Sequence, residues 1–200
     1  MKRSGRIRIS FNAPVILLFT FLCLLALVMG ALTSGQSTRL FFSVYRSSLK
    51  SPLTYVRMIG HVFGHTSISH LYGNICMILV IGPLLEEKYG SRCLVEVILL
   101  TAVVTGVIHA IFLPHTALSG ASGVVFAFIV LGSITNIRDG EVPLTFILVF
   151  VIFIGQQLFL GLTVTDNVSN LTHIIGGIVG ALVGFGLSGW SREAKRGSSR

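Results

Sequence analysis

Long apolar runs broken by short polar ones organise this chain. Six apolar stretches stand out, at 14–32, 69–85, 93–113, 118–134, 142–162 and 168–189. Each is close to the ~20 residues a helix needs to cross the hydrocarbon core of a bilayer. In lipid, backbone N–H and C=O groups must pair within the segment, so the stretches predict helices and not open strands. The clearest of the five breaks are the polar stretch Thr33–Ser67, "EEKYGSR" at Glu86–Arg92 and "TNIRDGE" at Thr135–Glu141. The expected fold is an all-α, polytopic membrane protein with a six-transmembrane-helix bundle at 14–190. Short basic tails at 1–13 and 191–200 flank it.

Composition agrees with that pattern. The 200 residues are 52% hydrophobic and 11% charged, against about 25% charged in ordinary soluble domains. Cys23, Cys76 and Cys93 all fall in apolar stretches, so no disulfide framework is implied. The net charge of +8 matters through its placement. With the N-terminus inside, eleven Lys and Arg fall on the cytoplasmic side, from Lys2, Arg3, Arg6 and Arg8 through Lys88, Arg92 and Arg138 to the C-terminal tail. Four fall outside: Arg39, Arg46, Lys50 and Arg57. The positive-inside rule then places both termini in the cytoplasm. The basic tails suit anionic lipid headgroups, and no nucleic-acid partner is expected. "MKRSGRIR" before an apolar run resembles a signal peptide, but the run is long enough to span and is read as a retained helix.

Polar side chains inside the spans carry the candidate chemistry, because intramembrane polar groups are costly to keep. In this topology the second, fourth and sixth helices start at the outer face. His70 and Asn74 lie in the first turns of the second, Ser122 about four residues into the fourth, and His173 about five residues into the sixth. At 1.5 Å per residue, Ser122 and His173 reach a common depth of roughly 6–8 Å. Taken singly, each residue has a plain structural reading in helix packing; their coincidence in depth favours chemistry.

A hydroxyl needs an adjacent base to become a nucleophile, and His173 is the ionisable side chain placed to serve. His70 and Asn74 share one helix face at i and i+4 and can donate to a developing oxyanion, as can the backbone N–H of Ser122. Gly120 and Gly123 leave room for a substrate backbone. Gly176 and Gly180 form a small-residue stripe that lets the sixth helix approach the fourth. No carboxylate stands at this level; Asp166 in the preceding loop is the nearest, so the reading is a Ser–His dyad and not a triad. Gln156 and Gln157 interrupt the fifth apolar run roughly 8–9 Å below its outer end. At least one of them is expected to pair with an unwound substrate backbone.

These residues resemble the motifs of the rhomboid intramembrane serine proteases. "GASG" at Gly120–Gly123 resembles the family's GxSG. "HVFGHTSISHLYGN" at His61–Asn74 resembles its His-rich segment, "HIIGGIVG" at His173–Gly180 its HxxGxxxG, and "GPLLEEKYG" at Gly82–Gly90 its GxxxExxxG. The resemblance covers Arg57 to Gly186 in the family's order. It implies Ser122 as nucleophile, His173 as base, and His70, Asn74 and the Ser122 amide as oxyanion donors. It implies architectural roles for His61, His65 and Glu86, with Thr33–Ser67 partly in the outer leaflet. Val56 stands before Arg57 where the family often has Trp.

The expectation is an intramembrane serine endopeptidase that cleaves transmembrane segments of other proteins in a bacterial plasma membrane. It needs no metal or other cofactor, and its oligomeric state is left open. Two rivals stand beside it. One is a His-ligated metal enzyme using the HxxxHxxxxH spacing of His61, His65 and His70. The other is a transporter or a catalytically inactive binding protein of the same fold.

Overall fold

The computed structural model describes residues 11–134, 144, 147–148, 151–152, 171–184 and 186. Its elements are α1 (Pro14–Leu32), α2 (Gln36–Phe41), α3 (Pro52–Gly60), a 3-10 turn (His61–Phe63), α4 (Ile68–Tyr89), α5 (Ser91–Phe112) and α6 (Ser122–Ile134). A last described helix, α7, spans Leu171–Gly184. Among the described residues all regular structure is helical, apart from one isolated antiparallel pair, Val44 with Leu118.

Among the described residues three helices, α1, α4 and α5, are long and apolar enough to cross a membrane. The other three of the six expected spans adjoin or fall among residues outside the described ones. The run at 142–162 lies almost wholly outside the described residues, whereas α6 and α7 are described as shorter apolar helices. The described part of α6, Ser122–Ile134, adjoins residues outside the described ones at its inner end. At its outer end α6 starts later than expected, because residues 118–121 are not helical. Leu118 exchanges two backbone hydrogen bonds of 2.9 Å with Val44, and Gly120 takes a φ of +135°, which a side chain would oppose. Ser122 is thus the first residue of α6, not the fourth or fifth.

The break between α4 and α5 also differs from expectation. It is one residue, Gly90, with φ +81°, so α4 runs on to Tyr89 and α5 begins at Ser91. Glu86, expected at the polar end of the second span, is a buried residue of α4. Its carboxylate accepts the backbone N–H groups of Val15 and Ile16 at 3.1 Å each, and the Ser91 hydroxyl at 2.7 Å. The first N–H groups of a helix have no partner within it. Ala13, before α1, supplies no side-chain cap, and Glu86 does the capping from some 70 residues away.

The core lies between α1, α4, α5 and α6, around Ile16, Phe19, Ile78, Leu94, Val124 and Phe128. Outward-facing Leu18, Phe21, Val80, Leu84 and Ile111 are exposed, as suits surfaces solvated by lipid. The polar stretch after α1 is itself ordered. Arg57 of α3 is buried, and its guanidinium donates to the Tyr45 hydroxyl and to Ser47, both at 2.9 Å. It also lies 4.5 Å over the Tyr45 ring. The exposed Val56 takes no part in this; Arg57 and Tyr45 seat the segment without a Trp.

Candidate active site

Ser67 sets the start of the helix that carries two of the candidate residues. Its backbone is extended, and its hydroxyl accepts the N–H of His70 at 3.1 Å, which is the N-cap bond. His70 thereby falls in the first turn of α4 and Asn74 one turn on, facing the same way. Asn74 is buried, and its Nδ2 lies 3.1 Å from His65 Nε2. His65 Nδ1 lies 3.1 Å from the carbonyl of Phe63, which can only accept. That contact puts the His65 proton on Nδ1 and leaves Nε2 to accept from Asn74. Burial pushes the His65 imidazole down to about 4, against a smaller opposing effect of the Phe63 carbonyl, so the ring is neutral at pH 7. The His65 and His70 rings meet edge to face at 5.0 Å.

The loop before Ser122 is held against this group at three points. Leu118 pairs with Val44, and the Gly120 N–H donates to the carbonyl of His61 at 2.9 Å. At Gly120 a Cβ would stand 2.8 and 2.9 Å from His70 ring atoms and 3.9 Å from Asn74 Nδ2. His70 and Asn74 therefore flank the backbone just before the serine. Ser122 is half-buried at the head of α6, where its N–H is one of those with no partner inside the helix.

Helix α7 packs on α6 through glycines. A Cβ on Gly176 would strike the Gly123 carbonyl, and one on Gly180 the Ala127 carbonyl. One on Gly123 would come within 3.2 Å of Thr172 Cγ2. The half-buried His173 lies beside Phe126 with ring centroids 4.3 Å apart. Phe126 is one turn from Ser122 on the same face of α6, so His173 is seated on the serine's side of that helix.

Of the residues singled out in the sequence, Ser122, Gly120, His70, Asn74 and His173 fall in this region. Gln156, Gln157 and Asp166 lie outside the described residues. His61 and His65 are buried behind the loop. His61 Nε2 lies 3.0 Å from the Ala102 carbonyl. Among the described residues no three His, Cys, Asp or Glu side chains are grouped to hold a metal ion. Sequence reasoning missed Ser67 and Val44. The Ser67 signal, a serine just before an apolar helix, was available; the Val44 pairing has no local signal.

A family model described as the Rhomboid domain matches residues 52–190, and the chain belongs to the rhomboid family. It is 33% identical over 159 residues to Rhomboid-related protein 2 of Mus musculus, covering 68% of this chain and 52% of that protein. It is 29% identical over 139 residues to Rhomboid-related protein 1 of Caenorhabditis elegans, covering 64% and 39% respectively. It is 30% identical over 135 residues to Rhomboid protease GlpG of Haemophilus influenzae, covering 64% and 68%. The chain thus spans about half or less of the length of the two rhomboid-related proteins. Its apolar helices and family together mark an integral membrane protein.

Proposed function

We propose that this chain is an intramembrane serine endopeptidase that cuts transmembrane segments of other membrane proteins with a Ser122–His173 dyad. The observation that carries the reading is the glycine-mediated seating of α7 on α6, which lays His173 along the serine's face of α6. The match to a relative named as a protease supports it.

In the proposed reaction the Ser122 hydroxyl attacks the scissile carbonyl carbon while His173 takes its proton. The carbonyl oxygen becomes an oxyanion. The Ser122 N–H, the Asn74 amide and the His70 ring are its donors. Asn74 has two amide hydrogens; one is committed to His65, and the other remains for the oxyanion. When the tetrahedral intermediate collapses, the C–N bond breaks and His173 protonates the departing amine. Water then hydrolyses the acyl–serine ester with His173 again as base. Gly120, with no side chain between His70 and the loop, leaves the approach to the serine open. Both termini are assigned to the cytoplasm, the site to the outer side of a bacterial plasma membrane, and Gln156 and Gln157 to the substrate backbone.

Purified protein incubated with a panel of single-span substrates tests the reading. Wild type should cleave at least one. Ser122→Ala and His173→Ala should each lose nearly all cleavage, and the double variant should be little worse than either, because the pair acts as a unit. Near-wild-type cleavage by either single variant would exclude the dyad. The metal-enzyme alternative is disfavoured by His65, whose two ring nitrogens already face the Phe63 carbonyl and the Asn74 amide.

A further inference from the structure

A cavity of about 1050 Å³ opens beside the site, bounded by the outer end of α1, by α2, by the start of α4 and by the loop before α6. That volume is at the upper end for binding pockets. Part of its lining is apolar, from Leu27, Val28 and Ala31. Part is hydroxyl-bearing, from Ser34, Thr38 and Tyr45. Of its basic-type lining groups, Arg39 and His115 are exposed, and His65 is buried.

Among the described residues no carboxylate lines the cavity. None is near in sequence either, since the first acidic residue of the chain is Glu86, at the far end of α4. The segment Thr33–Ser67 carries Arg39, Arg46, Lys50 and Arg57 with no Asp or Glu. Arg57 is buried on Tyr45 and Ser47, whereas Arg39 is open to a ligand.

The cavity shares walls with the candidate active site. His65, one of its lining residues, holds Asn74; Ser67, another, caps α4 beneath His70. Ala117 lines it one residue before Leu118, at the start of the loop that leads to Ser122.

We propose that this cavity receives the outer juxtamembrane segment of the substrate and selects segments bearing Asp or Glu, with Arg39 as the main specificity-determining residue. The inference rests on the protease reading and adds a substrate class to it. A peptide leaving a membrane helix offers what the lining matches: an apolar side chain for the α1 face, unpaired amides for the hydroxyls, and a carboxylate for Arg39. A segment held there enters the site from the side of His70 and Gly120.

The test uses the full chain in neutral detergent and one single-span substrate in two versions, with outer-flank Asp and Glu or with Asn and Gln at the same positions. Wild type should show a KM about 2- to 5-fold lower for the acidic version at equal kcat, as an exposed ion pair provides. The preference should shrink at high ionic strength. Arg39→Glu should reverse it, Arg39→Lys should keep it, and His115→Glu should weaken it, with thermal midpoints recorded for each to identify folding damage. Equal KM values in wild type, or an unchanged preference in folded Arg39→Glu, would overturn the proposal.

A second arm needs no turnover. A fluorescent acidic flank peptide should bind Ser122→Ala protein and lose affinity in Ser122→Ala/Arg39→Glu. If no substrate is cut, the protease reading has failed and this binding alone decides the cavity's role. If phosphatidylglycerol in mixed micelles binds in an Arg39-dependent way and the peptide does not bind, the occupant is a lipid headgroup and the proposal is wrong.

Discussion

Asn74 and His65 form a unit whose halves depend on each other. The amide donates to a ring nitrogen that accepts only while the imidazole is neutral. Removing one oxyanion donor typically costs about 10²–10³ in rate. Asn74→Ala should therefore lower kcat by that order with a much smaller change in KM, as steady-state cleavage would reveal. Equal losses in both would assign Asn74 to structure. The same pair predicts a pH effect. His65 titrates at about 4 in the folded chain, below the ordinary 6.5, because burial penalises its charged form. The unfolded chain thus binds the proton first. His65 should leave stability untouched above pH 6.5 and lower it progressively from 6.5 down to about 4, below which both states are protonated. Thermal melts across that range should show the loss, and His65→Gln should show less of it.

At the scale of elements, the α6–α7 contact is the joint to test. A Cβ at Gly176 or Gly180 would meet backbone on α6, which cannot swing aside as a flexible side chain can. Gly176→Ala should push α7 outward, misplace His173 and cost at least 10²-fold in kcat/KM. Gly73→Ala, where a Cβ meets nothing within 4 Å, should be close to neutral in a helix. Equal activity of the two variants would mean the glycine contact does not position the base.

The glycine stripe was legible in the sequence because small residues at helical spacing are a local pattern. So was the start of α4, expected at Ser69 and found at Ile68. The start of α6 was not. The apolar stretch runs back to Leu118, and the bonds to Val44 and His61, 74 and 59 residues earlier, with the positive φ of Gly120, delay the helix to Ser122. Glu86 likewise looked like the polar end of a span; its partners lie on another helix. Features made by pairing across long sequence separations leave no periodic trace.

For the whole molecule, sidedness is the open quantity that charge placement predicts. With eleven basic residues on one side and four on the other, both tails are expected in the cytoplasm. Lys50→Cys should react with a membrane-impermeant maleimide on intact cells, and Ser198→Cys only after permeabilisation. The reverse pattern would invert the assignment and put the candidate site on the cytoplasmic side.

The serine, its flanking His and Asn and the loop that holds them all lie within residues 44–122, whereas His173, the proposed base, arrives on a helix packed against α6 through glycines. During synthesis at about 5–20 residues per second, His173 emerges some 3–10 seconds after Ser122. On the proposed dyad, the growing chain passes its neighbours at the insertion machinery with a shaped but powerless nucleophile. On that proposal cleavage waits for the docking of α7, so synthesis itself would provide the latency that other proteases obtain from a removable propeptide.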